Sequence, residues 1–315
     1  MGNSMPGDES TMTMWPIRSE MPPSAVYLRL TLTAALWAGT FVAGRVVALE
    51  LPPLPIAIGR FGIAVVALYL WARWTEGGLP RLSLRQLMET LLLGLTGVCL
   101  YNLFFLVSLS EMPASRTATF VALNPVVVSL LMFALFRERL SLKRWAGIGL
   151  TLAGAILVIS RGNLTALAGD IESSFGRGEV AMSMAVLSWA LYTIIGRNAL
   201  KGLSPLSATT YAAIWGLVLL VSAYLVMPAP DIQDAISARG LAAIVYLAIG
   251  GTVVPFLWYY RGVSEIGPAR TSVFTNLVPV FGVLFGVVLL GEPLLMSMIV
   301  GGGLVVAGVI LTNRT

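Results

Sequence analysis

The chain has 315 residues, 57% of them hydrophobic and only 11% charged, with a net charge of +5, a single cysteine and no histidine. Soluble domains carry roughly a quarter charged residues, so this composition excludes a soluble globule of this length. The lone Cys99 excludes a disulfide framework or thiolate metal site within the chain, and the basic excess reads as loops on one membrane face rather than a nucleic-acid surface.

The first 25 residues are polar and proline-bearing, without the apolar core of a cleavable signal. They are expected to form a disordered cytoplasmic arm. Apolar runs then recur, about 18–23 residues long, the length that crosses a hydrocarbon core of about 30 Å. Ten spans are expected, near 26–48, 54–74, 88–110, 114–136, 141–161, 179–200, 205–226, 240–262, 267–290 and 294–312. Several connectors are short, such as LPPLP (51–55), and the longest link, a linker over 162–178, falls at the middle. With a cytoplasmic N-terminus, the inside segments hold Arg18, Arg29, Arg73, Arg81, Arg85, Arg137, Arg139, Lys143, Arg144, Arg197, Lys201, Arg261, Arg270 and Arg314. The outside segments hold only Arg116, Arg161, Arg177 and Arg239. That bias places both termini in the cytoplasm.

The chain repeats itself. RTATFVALNPVVVSLLMFALFRE (116–138) returns 154 positions later as RTSVFTNLVPVFGVLFGVVLLGE (270–292), and AGIGLTLAGAIL (146–157) as VGGGLVVAGVIL (300–311). Gly97 and Gly251, Ser110 and Ser264, and Glu111 and Glu265 keep that offset, while Trp37 with GR at 44–45 matches Trp189 with GR at 196–197 at 152. Each half holds five spans, an odd number, so the second half must enter the membrane from the opposite side. The expected fold is an all-α membrane protein of ten transmembrane helices, built as two inverted five-helix repeats over 26–161 and 179–312. Such repeats hold their substrate near the midplane, where the halves meet.

The early-helix Trp, a fourth helix with NP or VP, a closing GE and a glycine-rich GxGLxxxG helix resemble the drug/metabolite transporter superfamily, in particular its EamA-type ten-helix branch. GPARTSVFTNLVPVFGVLFGVVLLGE (267–292) carries the resemblance most specifically. The first half departs where Arg137 replaces the glycine before Glu138 and Asn124 precedes Pro125. The resemblance implies a transporter and leaves the substrate open.

Individual residues narrow this. Pro125 and Pro279 each remove a helix donor and free the carbonyl four residues back, that of Val121 or Thr275. In lipid that is tolerated only beside protein or a water-filled cavity, so the pair either shapes a cavity and its gates or simply kinks two packed helices. Trp71, Trp74 and Trp145 fit an interfacial belt. Trp37, Trp189 and Trp215 fall near mid-span, where the repeat-related Trp37 and Trp189 line a cavity or fill a core. Gly97, Tyr101 and Phe105 share one helix face, with Gly251, Pro255 and Tyr259 as their equivalents. Asn102 and Asn276 are amides at membrane depth that need partners. Glu50, Glu111, Glu138, Glu265 and Glu292 all sit at helix ends, Glu89 near one, and no histidine exists, so a proton relay loses weight. Arg45 and Arg60 lie within spans, toward the outer third; they snorkel or pair with Glu50, or else attract a carboxylate. No nucleophile with a base, metal constellation or acid pair is present, so neither a catalytic nor a metal residue is expected, nor any cofactor.

These readings converge on a secondary transporter exporting small organic metabolites, foremost aromatic or apolar amino acids, with a multidrug or other amphipathic-metabolite exporter as the alternative and a non-transporting membrane module as the weaker rival. Its ligand is expected among Trp37, Tyr101, Asn102, Phe105, Trp189, Tyr259 and Asn276. Its partners are a small-molecule substrate and the lipid bilayer of the inner membrane, with no nucleic acid and nothing that specifies an oligomer.

Overall fold

A computed structural model describes residues 23–137, 141–160, 176–227, 236–266, 271 and 274–313; the expected arm over 1–25 and linker over 162–178 lie almost entirely outside the described residues. The described residues are helical, with no strand among them. In the first half run α1 (Pro23–Ala48), α2 (Pro53–Thr75), α3 (Leu84–Leu93), α4 (Tyr101–Glu111), α5 (Ala114–Val121), α6 (Asn124–Phe136) and α7 (Leu142–Ile159). The second half holds α8 (Arg177–Ala199), α9 (Pro205–Val226), α10 (Ala238–Ala248), α11 (Val254–Ile266), α12 (Leu277–Leu290) and α13 (Met296–Asn313).

Helix starts follow local chemistry. Ser83, Ser141, Ser204 and Ser237 each stand at an N-cap and accept a backbone N–H of the first turn. Gln86 completes a capping box with Ser83, and prolines sit in the first turn of α2, α6 and α9. Seven helices among the described residues are long and apolar enough to cross a membrane. The expected ten are not all reached by length: the stretches Phe274–Leu290 and Met296–Gly308 are shorter. α12 alone, 14 residues, rises only about 21 Å at 1.5 Å per residue.

Two irregularities recur in both halves. The third span of each is interrupted by a π-helical segment, Gly94–Leu100 between α3 and α4 and Ile249–Val253 between α10 and α11. The fourth span is broken rather than kinked: α5 ends at Val121, a turn covers 122–123, and Pro125 opens α6. Before α12 the chain instead makes a 3-10 turn, Phe274–Asn276.

The halves pack by exchange. α1 lies against α10, α11 and α12 of the second half, and α8 lies against α3, α4, α5 and α6 of the first. α2 pairs with α9, and α7 with α13. Alanine and glycine dominate the closest approaches, the means by which helices associate where lipid removes the hydrophobic drive. In the α7–α13 pair, a Cβ on Gly154 would stand 2.5 Å from the Gly301 carbonyl oxygen, and one on Gly308 2.6 Å from that of Gly147. The small-residue stripes thus face each other within one chain. Leu28, Val66, Leu70, Val226 and Val288 point outward as a lipid-facing coat.

Candidate functional site

The middle of the bundle is organised by Arg60. It lies on α2 and is 8% exposed, with its guanidinium stacked on the Phe61 ring at 5.2 Å. Nη1 donates to Asn102 Oδ1 at 2.8 Å, while Nε and Nη2 donate to Thr252 Oγ1 at 3.3 and 3.1 Å. Asn102 follows the first π segment and Thr252 lies within the second, so one cation bridges the third spans of both halves. The guanidinium can only donate, so the amide must present its oxygen to it. That leaves the Asn102 NH2 group to donate to the carbonyls of Val98 and Gly97, at 2.8 and 3.3 Å. Thr252 Oγ1 likewise donates to the carbonyl of Leu247, five residues back, at 3.0 Å. A π turn detaches carbonyls from the α ladder, and here side chains recapture them.

Both arginines contradict the pairing with Glu50. Glu50 accepts instead from the N–H and Oγ of Ser237, at 3.1 and 2.8 Å, capping α10. Arg60 lies beside the two π segments, because α2 packs against both third spans. Arg45 donates from Nη1 to the Leu109 carbonyl. Together with Val46, Leu49, Glu50, Arg239, Leu289 and Leu290 it lines a recess of about 500 Å³ at the end of α1.

The aromatic residues gather around this bridge in two groups. Phe41, Phe105, Tyr101, Trp189 and Tyr192 form an unbroken file with ring centroids 5.1 to 5.8 Å apart. Trp37 packs against Tyr259 at 5.6 Å and Phe256 at 5.9 Å. Tyr101 directly precedes Asn102, the acceptor of Arg60, in α4. Trp37, Tyr101, Asn102, Phe105, Trp189 and Tyr259 therefore belong to a few neighbouring contacts. Asn276 does not join them by any contact of its own: it stands half-buried before α12, without a side-chain cap bond. Pro125 and Pro279 flank the broken fourth spans, Pro279 buried and Pro125 half-buried. Trp215 packs its Cβ against Gly94, and its indole N–H is buried without a partner among the described residues.

Carboxylates secure the two ends. Near the start of α1, Arg29 pairs with Glu265 at the end of α11. At its other end, Arg45 meets the last turn of α4. There Arg116 pairs with Glu179 at 2.8 Å, with both side chains about 5% exposed (4% and 6%), and Arg177 approaches Glu111 at 3.8 Å in the open. Glu292 accepts the N–H groups of Ala114 and Ser115, at 2.7 and 2.8 Å, capping α5 from the opposite half. Since α11 ends at the start of α1 and α4 at its finish, the two third spans run in opposite senses.

The sequence reading missed Thr252, Tyr192 and the π segments. Tyr192 covers Gly97, where the Cγ of its ring would stand 2.6 Å from an added Cβ; Thr40 covers Gly251 in the same way, its methyl at 2.5 Å. The paired glycines were the available signal.

Known proteins bear on this geometry. Residues 25–160 and 176–314 each match the EamA-like transporter family. The chain is 28% identical over 288 residues to the uncharacterized transporter YyaM of Bacillus subtilis, covering 91% of this chain and 93% of that one. An uncharacterized transporter of Archaeoglobus fulgidus is also 28% identical, over 92% of this chain and 98% of its own. The uncharacterized inner membrane transporter YedA of Escherichia coli is 26% identical, over 88% and 87%. A solved crystal structure, 21% identical, superposes with a TM-score of 0.62 over 92% of this chain and 96% of the other. The chain belongs to the EamA-like transporter family and is a multi-pass membrane transporter.

Proposed function

We propose that this EamA-like chain is a secondary transporter of the inner membrane that exports small organic metabolites, foremost aromatic or apolar amino acids. It works by alternating access between two inverted five-helix repeats, 26–161 and 179–312, with both termini cytoplasmic. The observation that carries the reading is the gathering of rings from the first helices and third spans of both halves around one buried polar bridge. A ring in such a setting gains about 0.5–1.5 kcal/mol per aromatic pair beyond area burial, which suits an aromatic or apolar side chain. The antiparallel third spans support the inverted arrangement, because each half then offers the same elements to the opposite membrane face.

In this mechanism Trp37 and Tyr259 clasp one side of the ligand while Tyr101, Phe105 and Trp189 clasp the other; Asn102 acts through the Arg60 guanidinium it accepts from, and Asn276 offers a polar group at the start of α12. The breaks at Pro125 and Pro279 let the fourth spans bend as the halves rock. No proton relay is needed, since the described carboxylates sit at helix ends or, for Glu89, within α3 beside Arg85.

The test is counterflow of labelled amino acids in proteoliposomes, with and without a proton gradient. Flux of L-phenylalanine or L-leucine that survives a protonophore is expected. Trp189→Ala and Tyr259→Ala should each lower it at least about tenfold, the equivalent of 1.4 kcal/mol, in protein that stays monodisperse. Wild-type flux in both variants would move the site to the recess beside Arg45.

A further inference from the structure

We propose that Arg60 reads a carboxylate and that no carboxylate among the described residues is free to read an ammonium group, so that the substrates are aromatic and apolar monocarboxylates, amino acids being those that happen to carry an amine. This rests on the aromatic-site reading above and narrows it.

The first argument is charge. A cation buried without a counter-charge is costly unless it is paired. Among the described residues the other well-buried arginines obey that rule: Arg29 has Glu265 and Arg116 has Glu179. Arg60 has neutral acceptors only, and no carboxylate among the described residues forms an ion pair with it.

The second argument is valence. A guanidinium carries five N–H donors, and Asn102 and Thr252 take one from Nε, one from Nη1 and one from Nη2. One N–H on each terminal nitrogen has no partner among the described residues. Two donors on one planar fork match the two oxygens of a carboxylate, and lysine could not reproduce that geometry.

The third is the setting. Phe61 lies under the guanidinium, and Tyr101, beside the Arg60 acceptor Asn102 on α4, leads into the rings of Phe105 and Trp189. A carboxylate held at Arg60 therefore has apolar rings within a side chain's reach. For an ammonium group the setting is poor. The seven described carboxylates are all engaged elsewhere: Glu50 and Glu76 on serines, Glu292 on backbone N–H groups, and Glu89, Glu111, Glu179 and Glu265 on arginines.

The experiment is competition against labelled L-phenylalanine counterflow by the full chain in proteoliposomes, paired with thermal stabilisation of the purified protein. Four probes separate the groups: L-phenylalanine, 3-phenylpropanoate without the amine, L-phenylalaninamide without the carboxylate, and phenethylamine without it. Phenylpropanoate should compete and stabilise within about tenfold of phenylalanine, and the amide and the amine about 100-fold more weakly, as sites built for a polar group reject ligands that lack it. Arg60→Lys, which keeps the charge but loses the fork, should weaken both acids about tenfold or more. Arg60→Gln risks misfolding by stranding Asn102 and Thr252, and the probe series on the unaltered chain decides without it. If the amide and amine compete as well as the acids, the inference falls and the aromatic site stands. If phenylalanine competes and phenylpropanoate does not, the amine is read and the inference also falls. If none of the four binds or is carried, the aromatic-site reading fails and takes this inference with it.

Discussion

At the third spans the two halves match closely: Gly97 and Gly251, 154 positions apart, each lie in a π segment beneath a side chain from the other half's first helix. On the second helices they differ, since Arg60 has Ala212 as its counterpart 152 positions on. Glu179, the buried partner of Arg116, likewise has Tyr27 as its counterpart 152 positions earlier. The duplicated features are those that fix backbone path and close approach. Arg60 and Glu179, both buried and charged, are not duplicated. A frame that must present itself alternately to two membrane faces needs symmetry, whereas a ligand is read once, by groups that need occur only once.

The largest expected effect breaks an unduplicated pair. Arg116→Gln leaves Glu179 buried and uncompensated, which should cost about 3–5 kcal/mol, read as a lowered unfolding midpoint in detergent. If the loss were instead no greater than for an exposed pair, the charge asymmetry would carry no structural weight.

Next comes the shared frame. Gly97→Ala and Gly251→Ala each drive a methyl into the covering side chain, and overpacking of this kind costs about 1–3 kcal/mol. Gly97→Ala should be the worse, because a ring near its root has less room to yield than a threonine methyl. Thr40→Ser should rescue Gly251→Ala by removing that methyl. Failure of the rescue would mean that the π segment itself, not the cover, requires the glycine.

A smaller effect lies where the halves differ in one residue at one conformation. Arg137 ends α6 at φ 54°, ψ 31°, and Gly291 ends α12 at φ 67°, ψ 24°, both left-handed. An L side chain in that region costs roughly 1 kcal/mol or a little more. Arg137→Gly should therefore raise the unfolding midpoint, and Gly291→Ala should lower it by a similar amount. The least effect belongs to Arg177→Gln, which removes a long, exposed contact to Glu111 and should change stability by less than about 1 kcal/mol.

The architecture was legible in the sequence because it rests on what repeats: apolar runs of spanning length, and residues recurring at 152 and 154. The helix exchange between halves agrees with that period, as does the glycine contact of α7 with α13. Mid-span depth and a shared offset singled out Trp37 and Trp189, and each makes ring contact with the opposite half. The partners of Arg60 were not legible, because a pairing with a nearby acid such as Glu50 is what local sequence suggests. Its actual partners lie 42 and 192 positions away, and one of them, Thr252, has no unusual look in sequence. The π segments were hidden for a related reason. One extra residue in a turn leaves composition unchanged, and only the side chains of Asn102 and Thr252, reaching back to carbonyls five residues earlier, betray it.

The pairing of α7 with α13 also dictates an order of assembly. Gly147, Thr151 and Gly154 on α7 are shaped to receive Gly301 and Gly308, and these belong to the final helix of the described chain. During synthesis the first half must therefore wait in the bilayer with that seam uncovered until α13 is made. A chain broken anywhere before residue 296 would keep that small-residue seam bare, an exposed edge that distinguishes it from a chain carrying α13.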